Sequence, residues 1–369
     1  MSEIVITNQT EETNVTWFGV SAVDESGNTL SNGSFRLCDS RFGNGYIKAF
    51  TAGGVGTPVE HRRGGNVKKM FYEMLKKGKE CGAAVSLLHP FSFSYYRMFG
   101  YEKVSDHLIL CFPTRLLDFI PRRCSLQKLE HESQLAHLCD IYNKFSQGRN
   151  LMIARYNPNF YSLKNQTYIY YENGNPSAYI TYSTQNRFIV NHMGESLLTV
   201  EEIAFTSPSG LREILSFLRM FEGEMDEIEI SNCAMIPEID LLLRHYMHTS
   251  YTVVPDIMAR VLNIPAVLSA QEYPRENGEF TVHVDDIFDI EMGTYSVKYG
   301  GGKCEVKQLE FDAEADLSLS MQAFTRLIYG YDGIDEKTAA YIDGAVIYRN
   351  CSDFFRAFPK KPCGVFEHF

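Results

Sequence analysis

The 369-residue chain is 44% hydrophobic and 22% charged, an ordinary globular balance with length for two or three domains. Its net charge of -11 and pI near 5.4 argue against nucleic acid as a main partner, because neutralising phosphates needs a basic surface. No stretch reaches about 18 uninterrupted apolar residues, so no membrane-spanning helix is expected.

The N-terminal MSEIVITNQTEETN lacks the basic-then-apolar pattern of a secretory signal. Residues 14–57 read as three strands: VTWFGVSAV closed by the turn DESGNT, the alternating NGSFRLCDS, and NGYIKAFTAGGVGT, which ends in glycines. A helix follows. Val67, Met70, Phe71, Met74 and Leu75 share one face, Lys68, Lys69, Lys76 and Lys77 lie on the other, and Gly82 is the stop. AAVSLL at 83–88 reads as a buried strand. A short helix around 91–98 and strands across 101–113 come next. The basic PRRCS at 121–125 reads as a joint. Beyond it, Leu135, Leu138, Ile141, Tyr142 and Phe145 mark a helix, strands are expected at 167–171, 178–183 and 198–205, and a helix at 209–221 precedes the strand EIEIS. A third unit starts near 257 with FTVHVDD, TYSVKY, CEVKQL and ADLSLSM as strands and a helix through Phe324, Leu327 and Ile328.

The nine cysteines contain no CxxC pair, so reduced thiols in a cytoplasmic protein are expected, with neither a disulfide framework nor a zinc site. His245 and His248 would share a helix face, but nothing in the sequence completes a metal site around them. YGGGKCE at 299–305 lies between alternating strands and reads as a hairpin turn.

The chemistry concentrates in VGTPVEHRRGGNVKKM at 55–70. A helix start leaves backbone N–H groups unpaired and carries partial positive charge. A glycine-containing loop leading into it lets an anion approach those donors, and arginines add charge-assisted contacts to phosphate. The spacing is neither a P-loop nor GxGxxG. By itself the stretch is also readable as a glycine-rich turn with solvated arginines.

In form the stretch resembles the acetyl-CoA pyrophosphate loop of the GNAT acetyltransferases, R-x-x-G-x-x, with Arg62 and Gly65 in register. LLHPFSFSYYRMFGYEKV at 87–104 narrows the resemblance to the Eis-like (enhanced intracellular survival) group. Those proteins join two GNAT-type domains to a domain similar to sterol carrier protein. MARVLNIPAVL, GEFTVHVDD, GTYSVKY and LSLSMQAFTRLIYGY are similar to segments of that third domain. The implied fold is α/β (α+β): a GNAT domain at 1–118, a second GNAT-like domain at 119–256 and a sterol carrier protein-like domain at 257–369.

The resemblance implies acetyl-CoA as co-substrate, no metal, and transfer to a cationic amine such as an aminoglycoside, a polyamine or lysine. It assigns the pyrophosphate to Arg62, Arg63, Gly64, Gly65, Asn66 and Val67. The strand end Val55, Gly56 and Thr57 would pair with the pantetheine arm and polarise the thioester carbonyl. Tyr96, in Y-x-x-F-G, takes the place of the general acid, with Tyr95 the competitor for that role. A phenol of ordinary pKa about 10 can protonate a thiolate whose conjugate acid lies near about 8.5. The α-carboxylate of Phe369 takes the place of the base, with a terminus packed only for stability as the alternative. A cytoplasmic homo-oligomer, a hexamer in this group, is implied too.

Three departures stand against the pattern. Pro58 sits one place before the family's proline, Val67 replaces a small residue with a bulk that could crowd the phosphate, and about 14 residues before VTWFGVSAV are too few for the two helices usual there. Two alternatives follow: a CoA-binding homologue without transferase activity, or a lipid-binding or scaffold protein built on the third domain.

Overall fold

The computed structural model describes residues 2–10, 16–187, 195–244 and 246–369. His245 and the pair it was read to form with His248 lie outside the described residues. The chain divides into two compact units: Met1–Ser105 with Gly148–Ala154 and Asp256–Phe369, and Asp106–Gln147 with Arg155–Pro255.

The first unit begins with β1 (Glu3–Thr10), β2 (Thr16–Val23), β3 (Thr29–Phe42) and β4 (Gly45–Gly56), an antiparallel series. The sequence reading found β2 to β4 and missed β1, a strand whose Val5 and Ile6 remain exposed and give no clean alternation. β1 pairs antiparallel with β2, in register from Glu3 opposite Val23 to Thr10 opposite Thr16. The helix α1 (Asn66–Glu80) buries Met70, Phe71, Met74 and Leu75, the expected face. Each such side chain contributes about 1.5–3 kcal/mol of burial. Gly82, at φ 81, ends it in the left-handed conformation that glycine tolerates. β5 (Val85–Leu88) is buried throughout and pairs in parallel with β4; α2 (Phe93–Arg97) and β6 (Glu102–Lys103) follow.

The sheet does not end with β6. Met258–Val261 lies between β5 and β6, antiparallel to both, giving the order β1-β2-β3-β4-β5, Met258–Val261, β6. Asp106–Pro113, expected with the first domain, pairs instead with Glu227–Ile230 and Ser250–Pro255 in the other unit's sheet. The chain passes from the first unit to the second after Ser105, ahead of the expected 118/119, and returns at Asp256, one residue before the expected start of the third domain. Hydrophobicity marks a strand as buried and is silent on which sheet buries it.

The same unit holds a five-stranded sheet ordered Lys303–Gln308, Gly293–Gly300, Gly278–Asp285, Leu317–Ser320, Ala345–Ile347. YGGGKCE is the hairpin turn expected, with Gly301 and Gly302 at φ 60 and 75. One core joins this sheet, the helix Met321–Tyr329 and one face of the first sheet. The second unit is a seven-stranded sheet with the helices Leu135–Phe145 and Pro208–Leu218, whose apolar faces are those read from the sequence.

Candidate active site

The site starts with a bulge. β3 and β4 pair regularly through Ser34 and Gly53, then slip, so that Asn32 next faces Gly56. The extra residue is accommodated by Gly54 at φ 60, a conformation costly for any residue with a Cβ. On the other side, the β4–β5 ladder stops at Ala52 opposite Leu88. The two parallel strands part there, and β5 offers no partner to the backbone of Gly53, Gly54, Val55 and Gly56. A parted pair of strands exposes N–H and C=O groups to an extended ligand. Val55 packs partly into the α1 core. Thr57 Oγ1 meets Ser31 Oγ at 2.9 Å, and its carbonyl accepts from Arg62 Nε at 3.2 Å.

After Pro58 a single turn, Val59–His61, leads to Arg62, Arg63, Gly64 and Gly65, all exposed. Arg63 has φ 65, and Gly65, the N-cap of α1, has φ 76. No side chain caps the helix, and the first intrahelical bond is Lys69 N–H to Gly65 O at 3.2 Å. The leading N–H groups of a 15-residue helix thus face outward behind two arginines, the geometry of an anion cradle. Asn66 is buried at the helix start. The half-buried Val67 side chain packs against the α1 core.

Tyr96 sits in α2, buried on the α1 side of the sheet among the rings of Phe71, Phe91, Phe99 and Tyr101. Burial, and then the neighbouring Tyr95, push its phenol up to about 12. Tyr95 is raised by burial alone. A phenol so held stays protonated at neutral pH, the form that can give a proton.

Phe369 approaches from the opposite face. A Cβ built on Gly53 would stand 2.5 Å from the carboxyl carbon of Phe369 and 3.0 Å from its oxygen. The terminus therefore lies on the bare Cα of Gly53, where β4 and β5 part. It is guided there by a clamp upstream: Asn150 N–H donates to Pro362 O at 2.8 Å, Gly364 N–H donates to Asn150 O at 3.2 Å, and Val365 is buried. Phe369 packs against the core shared with the five-stranded sheet. Val55, Gly56, Thr57 and the loop 62–67 follow one another along this path, with Tyr96 on one face of the sheet and Phe369 on the other.

Reading the sequence alone misses three further members. Gly53 and Gly54 are the bulge, legible only as a glycine pair inside a strand. His89 follows β5 directly. Its Nδ1 lies 3.1 Å from Asp256 Oδ1, its Nε2 lies 3.1 Å from Glu367 O, and its ring centre is 4.7 Å from that of Phe369. Both partners are acceptors, so both ring nitrogens donate only in the imidazolium form. Burial opposes that charge, but the Asp256 carboxylate and the Glu367 carbonyl outweigh it, and the His89 pKa is raised. Nearby Cys38 is no nucleophile: burial pushes its thiol up to about 12.

Comparison with known families gives an acetyltransferase (GNAT) domain at residues 24–104, another at 152–261, and a sterol carrier protein domain at 264–361. The chain carries two GNAT acetyltransferase domains. Two domains of that enzyme family and a sterol carrier protein domain follow one another in the order the sequence suggested. Among solved structures, the chain resembles a conserved Enterococcus faecalis protein described as a probable N-acyltransferase, at 16% identity and TM-score 0.78 over 96% of this chain and 89% of that one. A GCN5-related N-acetyltransferase from Anabaena variabilis stands at 17% and 0.78 over 95% and 89%. Eis1 from Mycobacterium abscessus stands at 14% and 0.77 over 95% and 91%. At such identities the likeness is one of fold. A search of curated proteins finds no match to the sequence. Among the described residues, no helix of this GNAT protein is long and apolar enough to cross a membrane.

Proposed function

We propose that this GNAT protein is an acetyl-CoA-dependent N-acetyltransferase that works by direct attack. The observation that carries the reading is the carboxyl group of Phe369 resting on Gly53 where β4 and β5 part. Arg62, Arg63, Gly64, Gly65, Asn66 and Val67 would hold the pyrophosphate through arginine side chains and helix N–H groups. Gly53, Gly54, Val55, Gly56 and Thr57 would pair with the pantetheine arm, and an N–H of the bulge would meet the thioester oxygen as charge develops there.

The Phe369 carboxylate takes a proton from the acceptor ammonium. The freed amine attacks the carbonyl carbon, the C–N bond forms and the C–S bond breaks. The Tyr96 phenol gives its proton to the departing thiolate; the acylated nitrogen sheds its second proton to solvent, from which the phenol is reprotonated. The opposite placement of Tyr96 and Phe369 across the sheet supports this division, because an acid serving the leaving group and a base serving the nucleophile belong on opposite sides of the reacting carbon.

One observation favours a second reading, CoA binding without transfer: only five residues separate β1 from β2, where the family has two helices lining the acceptor side. Calorimetry and thiol release separate the two. Micromolar acetyl-CoA binding, with thiol release over a panel of primary amines that falls on deletion of Phe369, is the expected result. Binding without release on any amine sinks transfer; absence of binding sinks both.

A further inference from the structure

The sheet face that receives Phe369 continues beyond Gly53 to a cross-strand pair the mechanism leaves unused. Phe35 and Leu37 of β3 turn into the α1 core, so Ser34, Arg36 and Cys38 turn the other way. Ser34 Oγ donates to Gly53 O at 3.1 Å, and Cys38 belongs to the core against which Phe369 packs. Arg36 lies between them, opposite Trp17 of β2 and Thr51 of β4. Its guanidinium carbon is 5.4 Å from the centre of the indole ring. Strand spacing puts the Cα atoms of Arg36 and Gly53 about 8 Å apart.

Among the described residues, Trp17 Nε1, Arg36 Nε and Arg36 Nη2 are buried with no hydrogen-bond partner. Leaving one such donor unmade costs about 1–3 kcal/mol, and more when it is charged. Nε and Nη2 form one edge of the guanidinium fork, with parallel N–H bonds. That edge matches the two oxygens of a carboxylate. The indole N–H of Trp17, whose ring the guanidinium overlies, is a third unmade donor. Trp17 and Arg36 are themselves only half-buried, so the edge lies close beneath the surface of this face.

We propose that Trp17 and Arg36 bind a carboxylate on the acceptor, so that the acceptor is an amine that also carries an acid, amino-acid-like in charge. The inference rests on the reading of Phe369 as the base. Arg36 takes the anionic end, and the ammonium end reaches the Phe369 carboxylate on the same face. Opposite charges at the two ends of the acceptor fix its direction. A diamine or polyamine would instead set a second ammonium against Arg36.

Trp17 is the one tryptophan of the chain, so its fluorescence reports on this pair alone. The intact protein is titrated with γ-aminobutyrate and L-glutamate, with putrescine and spermidine as cationic counterparts, and with taurine and 2-aminoethylphosphonate as other anions. The expected result is a saturable change with the amino carboxylates at concentrations about tenfold or more below those any diamine needs, a free-energy difference of about 1.4 kcal/mol. A stronger response to taurine or the phosphonate would overturn the assignment to carboxylate. Arg36→Met should abolish the response and Arg36→Lys weaken it, with both variants melting like the parent by circular dichroism. Thiol release with acetyl-CoA should show the same preference and lose it in Arg36→Met.

A response shared equally by diamines, no response to any amino carboxylate, or indifference to Arg36→Met each overturns the inference. Thiol release that persists on spermidine in that case leaves the transferase reading standing. An Arg36-dependent response without thiol release keeps the carboxylate site and removes the transferase reading.

Discussion

Gly53→Ala is the most direct probe of the Phe369 carboxyl. Gly53 is absent from the glycines at positive φ, so alanine fits its backbone. Within a strand, replacing glycine by alanine favours the folded state by about 0.5–1 kcal/mol. The added methyl, however, would stand 2.5 Å from the Phe369 carboxyl carbon, which is backbone and has no side-chain torsion to swing away. Ordinary contact begins near 3.4 Å, so the carboxyl must retreat by about 1 Å. A displacement of that size in a reacting group costs about 100-fold in rate. The expectation is a kcat about 100-fold lower and an unchanged acetyl-CoA Kd by calorimetry, with the chain still folded by circular dichroism. In a chain lacking Phe369 the same substitution should do nothing further, because the group it displaces is gone. A Gly53→Ala enzyme with parental kcat, or an equal loss in both backgrounds, would refute the placement of Phe369 as the base.

Two further outcomes are expected. Tyr96→Phe should lower kcat with little effect on acetyl-CoA affinity. Because burial pushes the parent phenol up to about 12, it stays protonated below that value, so the parent kcat should show no decline from Tyr96 ionisation up to pH 10; an alkaline decline present in the parent and missing in the variant would contradict this. For His89 the folded pKa is raised, so its contribution is fully present below the unfolded value of about 6.5 and is lost as pH rises through the folded value. Hydrogen exchange at residues 365–369 should therefore quicken as pH rises from about 6 to 8, beyond the intrinsic pH dependence of exchange, and His89→Gln should remove that excess. A constant protection factor over that range would contradict the imidazolium assignment.

Much of the local structure was legible from spacing alone. The apolar face of α1, the glycine stop at Gly82, the buried run 83–88 and the hairpin at Gly301–Gly302 follow from periodicity and turn chemistry, which act between near neighbours in the chain. The helix start, glycines and arginines of 55–70 were legible for the same reason: they are local features. Val67 shows the limit of this. Its size was plain, but whether it faces a ligand or a core depends on how α1 sits on the sheet.

What the sequence by itself determined was the kind of element at most positions and the run of arginines and glycines at the start of α1. Tertiary structure alone decided which sheet each strand joins, so that Met258–Val261 completes the first sheet and Asp106–Pro113 leaves it. It also brought His89, Asp256 and Phe369 to the parting of β4 and β5, and placed Trp17 and Arg36 on the face they share. These residues are far apart in the chain. Pairing between distant segments is fixed by backbone hydrogen bonds and by burial summed over whole sheets, which no short window of sequence contains.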